Sequence, residues 1–278
     1  LEEAGKEKEF AKYEGKLGAN TSLLSVLIIF FLPFSAIHNI LTPFIIWMIV
    51  DILGIFILLS IPNPKIELSV IKEKKSFFQL FKEAKFNGLL NLSIFLGLIS
   101  GFLLGSSPFR TPYLEELGYP IFLIGSVMGL SRVVRFIVGH TIHKVEKHIS
   151  MKQHFFIEIF LFSSYFIMIA FFNNPYLVGV IISLFIGYKW GRGSLVRSYI
   201  FKDYVKGSRY KATFLSMSSM LNSVFGALVT FTMGYYISIH GYKLNYLYLG
   251  IILFVLLIIS YYFTFILINF IFFSLNIK

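Results

Sequence analysis

Seven charged residues lie inside long apolar runs of this sequence, and they are the residues best placed to do chemistry. They are Asp51, Arg132, Arg135, Glu158, Lys189, Arg192 and Arg197. An ionised side chain in hydrocarbon is costly unless it has a partner, a water-filled cavity or a position near the interface. The position of each of these seven residues therefore predicts that it binds an ionic solute, binds a proton or forms an ion pair.

Lys189 and Arg192 predict a binding site for an anionic or polar group of a substrate. They lie three positions apart, hence on one helix face, within the glycine-rich segment 187–193. At 1.5 Å per residue, Lys189 is roughly 18 Å below the outer end of its run, somewhat past the bilayer middle. The glycines allow a bend or a close helix approach. The alternative is that both cations snorkel to the surface or pair with a carboxylate on another helix.

Arg135 and Glu158 form the second pair of candidates because their depths match. Arg135 lies about six residues from the end of one run and Glu158 about five from the start of the next, so both are roughly 8 Å deep. An ion pair between them would lower the burial cost of both charges. We expect this structural pair, with proton coupling through Glu158 as the alternative.

Asp51 is the third candidate, near the middle of the second apolar run. No basic residue of the neighbouring runs is an obvious partner for it. A carboxylate at that depth predicts a proton relay, or a partner in a part of the protein outside this sequence.

Other kinds of chemistry lack their usual residues. The sequence has no cysteine, and its histidines either cluster at one turn, as His140, His143 and His148 do, or lie near the ends of runs. No His-Glu-x-x-His, Gly-x-Ser-x-Gly or phosphate-binding Walker pattern occurs. We therefore expect no enzyme activity, no cofactor and no metal, and an ion gradient as the energy source.

The composition indicates a bilayer as the solvent. Hydrophobic residues make up 56% of the chain and charged ones 14%, with a mean hydropathy of +0.77. The net charge of +11 lies between the apolar runs and not on one basic face, which argues against nucleic acid as a partner.

About eight apolar runs are long enough to cross roughly 30 Å of hydrocarbon. They span residues 17–37, 41–61, 88–107, 120–141, 153–172, 177–199, 212–236 and 246–272. Every second connection is rich in lysine, whereas the opposite ones carry only Arg110 and Lys243. Because cytoplasmic loops retain positive charge, both termini and the basic loops are predicted to be cytoplasmic. The sequence predicts an all-α, polytopic protein integral to a prokaryotic plasma membrane.

The longest connection divides the chain into unequal parts. Residues 1–61 carry two runs, residues 62–87 form a basic linker, and residues 88–278 carry six runs. The linker contains an amphipathic piece, 76–82, whose aromatic residues and lysines predict a short helix at the headgroup region.

Small residues recur at helical spacing in three of the runs. Gly97, Gly101 and Gly105 lie four apart, as do Gly125 and Gly129. This spacing predicts close helix packing in lipid. A polar stripe at Ser216, Ser219, Ser223 and Thr230, with Asn222 beside it, predicts either the wall of a cavity or hydroxyls bonded to their own helix backbone.

Three stretches resemble the major facilitator superfamily. The charged segment 5–16 resembles the entry into helix five, segment 139–147 the basic turn after helix eight, and segment 208–217 the entry into helix eleven of exporter-like members. At His143 this sequence departs from the acid of the family's stronger loop motif. The family has two six-helix halves joined by a long cytoplasmic loop. The resemblance thus implies that this chain supplies helices five to twelve and begins after helix four.

The resemblance also implies a function, and it implies which helices carry Lys189 and Asp51. It places Lys189 on helix ten, which borders the family's central cavity, and Asp51 on helix six, which is peripheral. We expect a secondary transporter that moves a small solute, by efflux as segment 208–217 favours, with a proton as a candidate coupling ion. The alternatives are a membrane-embedded enzyme, a structural protein that binds membrane lipid phosphates, and an inactive truncated transporter.

Overall fold

The computed structural model describes residues 9–39, 41–60, 79, 88–203 and 211–267. Helix accounts for nearly all of these residues, and no strand occurs among them. The all-α prediction is confirmed for this part of the chain. Except for Gln79, the predicted linker 62–87 lies outside the described residues, as do residues 208–210 of the third resembling stretch.

Nine α-helices follow one another along the described chain. They are α1 (Phe10–His38), α2 (Thr42–Ser60), α3 (Leu89–Gly105), α4 (Arg110–Glu116), α5 (Ile124–Val145), α6 (Met151–Phe171), α7 (Pro175–Gly191), α8 (Gly193–Asp203) and α9 (Lys211–Tyr261). Short 3₁₀ turns at Ser107–Phe109 and Ile121–Leu123 precede α4 and α5, and a π-helical turn, Tyr262–Leu267, follows α9.

Helix α9 contains two of the predicted apolar runs. Its two arms meet at Gly241, whose φ of 73° and ψ of 175° break the helical path. A positive φ of this size is readily adopted only by glycine. The two runs are therefore separate helical arms joined without a loop.

Three segments of the described chain are long and apolar enough to cross a membrane: Leu89–Glu116, Met151–Phe171 and Leu215–Phe265. The apolar part of α2, Phe44–Ser60, is shorter. The described part of the chain is thus all-helical with three candidate membrane-spanning segments, and the larger count of about eight crossings stays a prediction.

Local sequence fixes where α6 and α7 begin. Ser150 and Gln153 form a capping box at the start of α6, in which each side chain bonds the other residue's backbone N–H. At α7, the Asn174 side chain accepts hydrogen bonds from the N–H groups of Tyr176 and Leu177, and Pro175 occupies the first turn. These caps define the first residues of the two helices.

Aromatic side chains fill the core between α3, α6 and the second arm of α9. Phe95 packs against Phe155 with ring centroids 5.3 Å apart, and Phe166 stacks on Tyr246 at 6.3 Å. All four are buried. Tyr113 of α4 closes one end of this core, where its hydroxyl donates a 2.9 Å hydrogen bond to the Ile169 carbonyl.

Glycine spacing correctly predicts how α3 packs. A Cβ added at Gly105 would lie 2.5 Å from the carbonyl oxygen of Gly226, and one at Gly101 would overlap Phe225 of the first arm of α9. The prediction of close helix packing is wrong at Gly125, because a Cβ atom added there would have no other atom within 4 Å. Spacing identifies a shared helix face, but a neighbouring helix must also lie against it.

A second group of helices, α1, α5 and α7, also packs through glycines. Gly139 of α5 meets Gly15 and Ala19 of α1, with Ala19 Cβ 3.2 Å from the position of a Cβ at Gly139. On α7, Cβ atoms at Gly187 and Gly191 would come within 2.6 Å of α5 side-chain atoms. Helix α5 is therefore held between α1 and α7.

Replacing Gly101 by Ala should force α3 away from α9. We expect the free energy of unfolding to fall by about 1–3 kcal/mol, the usual cost of overpacking, measured by thermal unfolding of the purified chain in detergent.

Gly125→Ala is the matched control, because the added methyl group meets open space and alanine favours helix. A Gly101→Ala variant as stable as the Gly125→Ala variant would contradict the close contact.

Candidate functional site

Glu158 is the centre of a buried polar cluster between α6 and α7. Its side chain is completely buried, and its Oε1 atom lies 2.9 Å from Arg192 Nε and 3.1 Å from His154 Nε2. The hydroxyl of Tyr188 donates a hydrogen bond of 3.4 Å to the same oxygen. We call these four residues the Glu158 cluster.

The helix geometry explains why these side chains meet. His154 precedes Glu158 by one turn on α6, and Tyr188 precedes Arg192 by one turn at the end of α7. Because Gly187 and Gly191 face α5, the adjacent positions 188 and 192 turn toward α6.

The end of α7 holds Arg192 in place. Arg192 is the C-cap residue of α7, its N–H donates to the Tyr188 carbonyl at 2.9 Å, and its guanidinium lies 5.1 Å from the centre of the Phe162 ring. This places a cation against an aromatic face on α6, one turn beyond Glu158.

Hydrogen bonding within the Glu158 cluster is incomplete. Arg192 Nε and His154 Nε2 are close enough to Glu158 Oε1 but are not aligned to donate to it, and Glu158 Oε2 has no hydrogen-bond partner among the described residues. A buried carboxylate ordinarily satisfies both oxygens. The charges of Glu158 and Arg192 therefore balance, but Glu158 Oε2, Arg192 Nε and His154 Nε2 form no hydrogen bond within the described residues.

The predicted pairing of Arg135 with Glu158 is not what the structure contains. Glu158 pairs with Arg192, while Arg135 lies beside Trp190, with its guanidinium carbon 5.7 Å from the ring centre. Another Arg135 atom, Nη2, is 3.5 Å from the position of a Cβ at Gly18. Helix α5 directs Arg135 toward α1 and Trp190, and not toward Glu158.

Lys189 and Arg192 do not share one site, although their spacing predicts it. Arg192 turns to Glu158, whereas Lys189 Nζ lies 4.1 Å from the centre of the Trp190 ring. A three-residue spacing separates the two side chains by roughly 60° around the helix, which allows Arg192 to face α6 while Lys189 lies beside Trp190. Lys189 instead joins Arg135, because both cations approach Trp190.

Asp51 is exposed on α2, away from the Glu158 cluster. Helix α2 contacts mainly α1, and its apolar side chains are largely exposed, as Phe44 at 70% and Leu59 at 78% illustrate. No ion pair to Asp51 occurs among the described residues.

Arg197 forms an ion pair that joins α8 to α1. Its Nη2 atom lies 2.5 Å from Glu14 Oε1. Glu14 is half-buried, and burial raises the pKa of its carboxyl even though Arg197 opposes that shift. Next to this pair, the Ser194 side chain is buried, with its Oγ 3.2 Å from the position of a Cβ at Gly15.

The same end of the bundle gathers basic side chains. Burial lowers the pKa of the His143 imidazole, and the positive charges of Lys144, Lys147, Lys12 and Lys16 lower it further. The start of α1 and the end of α5 therefore form one positively charged end, which we call the basic end.

Arg110 is a buried cation that the sequence assigned to an outer loop. It lies on α4 with 7% of its surface exposed, donates to the Leu103 carbonyl, and reaches Ser106 Oγ at 3.4 Å. Its hydrogen bonds go to the end of α3, and it also lies close to the buried hydroxyl of Tyr165 on α6. We assign it a structural role at the end of α3.

The polar stripe on α9 bonds to the backbone. Ser223 donates to the Ser219 carbonyl at 3.2 Å, and Thr230 donates to the carbonyls of Gly226 at 2.9 Å and Gly105 at 3.1 Å. For these two hydroxyls the backbone-bonding alternative is confirmed. Thr230 also ties the first arm of α9 to α3.

A cavity of about 800 Å³ lies between α3 and the two arms of α9, away from the Glu158 cluster. Apolar side chains such as Phe102, Met233 and Leu249 line most of it. Several other lining residues, including Tyr248 and Phe263, are also exposed. It is a groove in the apolar outer surface, and no charged side chain lines it.

Sequence reasoning missed His154, Tyr188 and Trp190 as neighbours of the charged candidates. The signal for His154 was present, since it lies four residues before Glu158 on one helix. No group of three or more potential metal-binding side chains occurs among the described residues.

No protein-family model matches the chain, and neither the curated proteins nor the solved structures include a detectable match.

Replacing Glu158 by Gln should leave Arg192 buried without its counter-charge. We expect the free energy of unfolding to fall by about 3–5 kcal/mol, because breaking a buried pair from one side leaves an uncompensated ion. Thermal unfolding in detergent measures this loss.

Glu116→Gln, at an exposed position, is the control. The double variant Glu158→Gln/Arg192→Gln should be more stable than Glu158→Gln alone. Wild-type stability of the Glu158→Gln single variant would refute the pairing.

Proposed function

We propose that this chain is the larger part of a secondary transporter, resembling the major facilitator superfamily, that moves a small solute across a prokaryotic plasma membrane. The observation that carries the proposal is the Glu158 cluster: ionisable side chains held between an apolar candidate membrane span, α6, and its neighbour α7. Intramembrane charges are costly and typically mark solute or ion pathways.

The observed helices are compatible with the predicted eight crossings. The two arms of α9, separated at Gly241, serve as two crossings, while α7 and α8 together serve as one. The basic end then faces the cytoplasm, in accordance with the retention of lysine and arginine on that side. Both termini lie on the cytoplasmic side in this proposal.

Contact between the two proposed halves supports transport by rocking. In this arrangement α1 belongs to the first half, whereas α5 and α8 belong to the second. They meet at the basic end through Gly15 and Gly139 and through the Glu14–Arg197 pair. Alternating access requires such a contact to open and close while the helices on each side remain packed.

The Glu158 cluster supplies a route for coupling to protons. A carboxylate with one unpaired oxygen, next to a histidine, has both an acceptor and a neighbouring titratable group. Loss of the Glu158–Arg192 pair would act directly on the end of α7, because Arg192 is the C-cap residue of that helix.

Arg197→Gln should loosen the contact between α1 and α8 at pH 8. Without Arg197, Glu14 is a half-buried carboxylate with no counter-charge, and its raised pKa means that docking of α1 favours the protonated form. Because the chain has no cysteine, Ser194→Cys provides a single reporter beneath α1. We expect its maleimide labelling to accelerate about three- to tenfold.

Two changes should reverse this acceleration. Adding Glu14→Gln removes the uncompensated charge, and lowering the pH through the raised pKa of Glu14 protonates it, so each should restore slow labelling. An exposed reference, His148→Cys, corrects for the pH dependence of thiol reactivity. If Ser194→Cys stays unreactive in every variant, the rocking contact, and with it the transporter proposal, is wrong.

A further inference from the structure

Trp190 and two cations form a separate cluster on the α5–α7 face. Lys189 Nζ lies 4.1 Å and the Arg135 guanidinium carbon 5.7 Å from the centre of the Trp190 ring. The indole is 52% exposed, in contrast to the buried Glu158. One face therefore offers both an accessible aromatic surface and two positive charges.

The cations of this face have no acidic partner in the described part of the chain. Glu158 is paired with Arg192 and Glu14 with Arg197. Arg132, one turn before Arg135 on α5, adds a third positive charge. Uncompensated cations at an apolar surface attract an anion, because binding it removes their electrostatic cost.

The depth of this face favours a solute over a lipid headgroup. Lys189 is 14 residues after Pro175, hence roughly 21 Å along α7 from its start. The same depth can be measured from the opposite end of the bundle. Glu158 lies seven residues, or roughly 10 Å, after Met151 at the start of α6, and it contacts Arg192. Lys189 lies about one helical turn farther from that end than Arg192. In about 30 Å of hydrocarbon, both measures place Lys189 well below the headgroups.

We propose that Arg135, Lys189 and Trp190 bind an organic anion that carries a flat apolar ring, and that this is the substrate class of the proposed transporter. The carboxylate or phosphate of such a ligand is attracted by the positive charges of Lys189 and Arg135 beside the indole, and its ring packs on the exposed part of the indole. The inference rests on the proposed function for its role in transport. The binding site itself rests on the geometry at Trp190.

The two tryptophans of the chain make the site measurable by fluorescence. Trp47 lies on α2, outside the site, so Trp47→Phe leaves Trp190 as the only indole. The probe is 4-nitrobenzoate, and 4-nitrobenzamide is its neutral counterpart with the same quenching ring. In phosphatidylcholine nanodiscs we expect saturable quenching of Trp190 by the anion and only linear, collisional quenching by the amide.

Lys189→Gln and Arg135→Gln should each weaken binding of 4-nitrobenzoate about tenfold or more, since each removes a charge-assisted contact. Lys152→Gln, an exposed cation at the start of α6, is the matched control and should leave the affinity unchanged. Linear quenching by 4-nitrobenzoate, or equal affinities in all three variants, would overturn the proposal.

A second arm separates a solute from a lipid. The titration is repeated in nanodiscs that contain phosphatidylglycerol, and unchanged affinity for 4-nitrobenzoate is expected. If phosphatidylglycerol abolishes the binding, the site holds a lipid phosphate and the solute proposal is refuted. Labelling of Ser194→Cys reports on the transporter proposal independently: movement without anion binding removes only the substrate class, and anion binding without movement removes only transport.

Discussion

A charge buried between apolar helices is the constraint on which the arrangement of α6 and α7 depends. Glu158 has no exposed surface, so α7 must bring Arg192 to within contact distance of it. That requirement is met because two glycines of α7 allow close packing against α5, which turns positions 188 and 192 toward α6. A bulkier residue at Gly187 would move the helix and separate the ion pair, so packing and electrostatics depend on each other here.

The sequence was sufficient to predict the helical class, but not the direction in which each side chain points around its helix. Arg135 and Glu158 were predicted to pair because their positions along the runs match, yet they contact different neighbours. Direction depends on which helix packs on which face, and a single sequence does not determine that when several faces are apolar. Gly101 and Gly125 illustrate this, since the same spacing gives a tight contact at one and open space at the other.

Two partners of Glu158 differ in how far they could have been predicted. His154 is a local neighbour, four residues earlier on the same helix, and helical spacing alone places it beside Glu158. Tyr188 is thirty positions away along the chain. Its contact depends on how α6 and α7 pack side by side, which no single motif encodes.

The end of α7 separates charges into two kinds of site within a few residues. Arg192 is neutralised by Glu158 and anchors the helix, so Lys189 and Trp190, one turn earlier, are held on a fixed scaffold. Five residues after Arg192, Arg197 reaches Glu14 of α1. A ligand that binds at Trp190 therefore acts on a helix whose continuation contacts the proposed moving half. Because the Glu158–Arg192 pair lies between these two sites on the chain, losing that pair would disturb both the ligand face and the contact with α1.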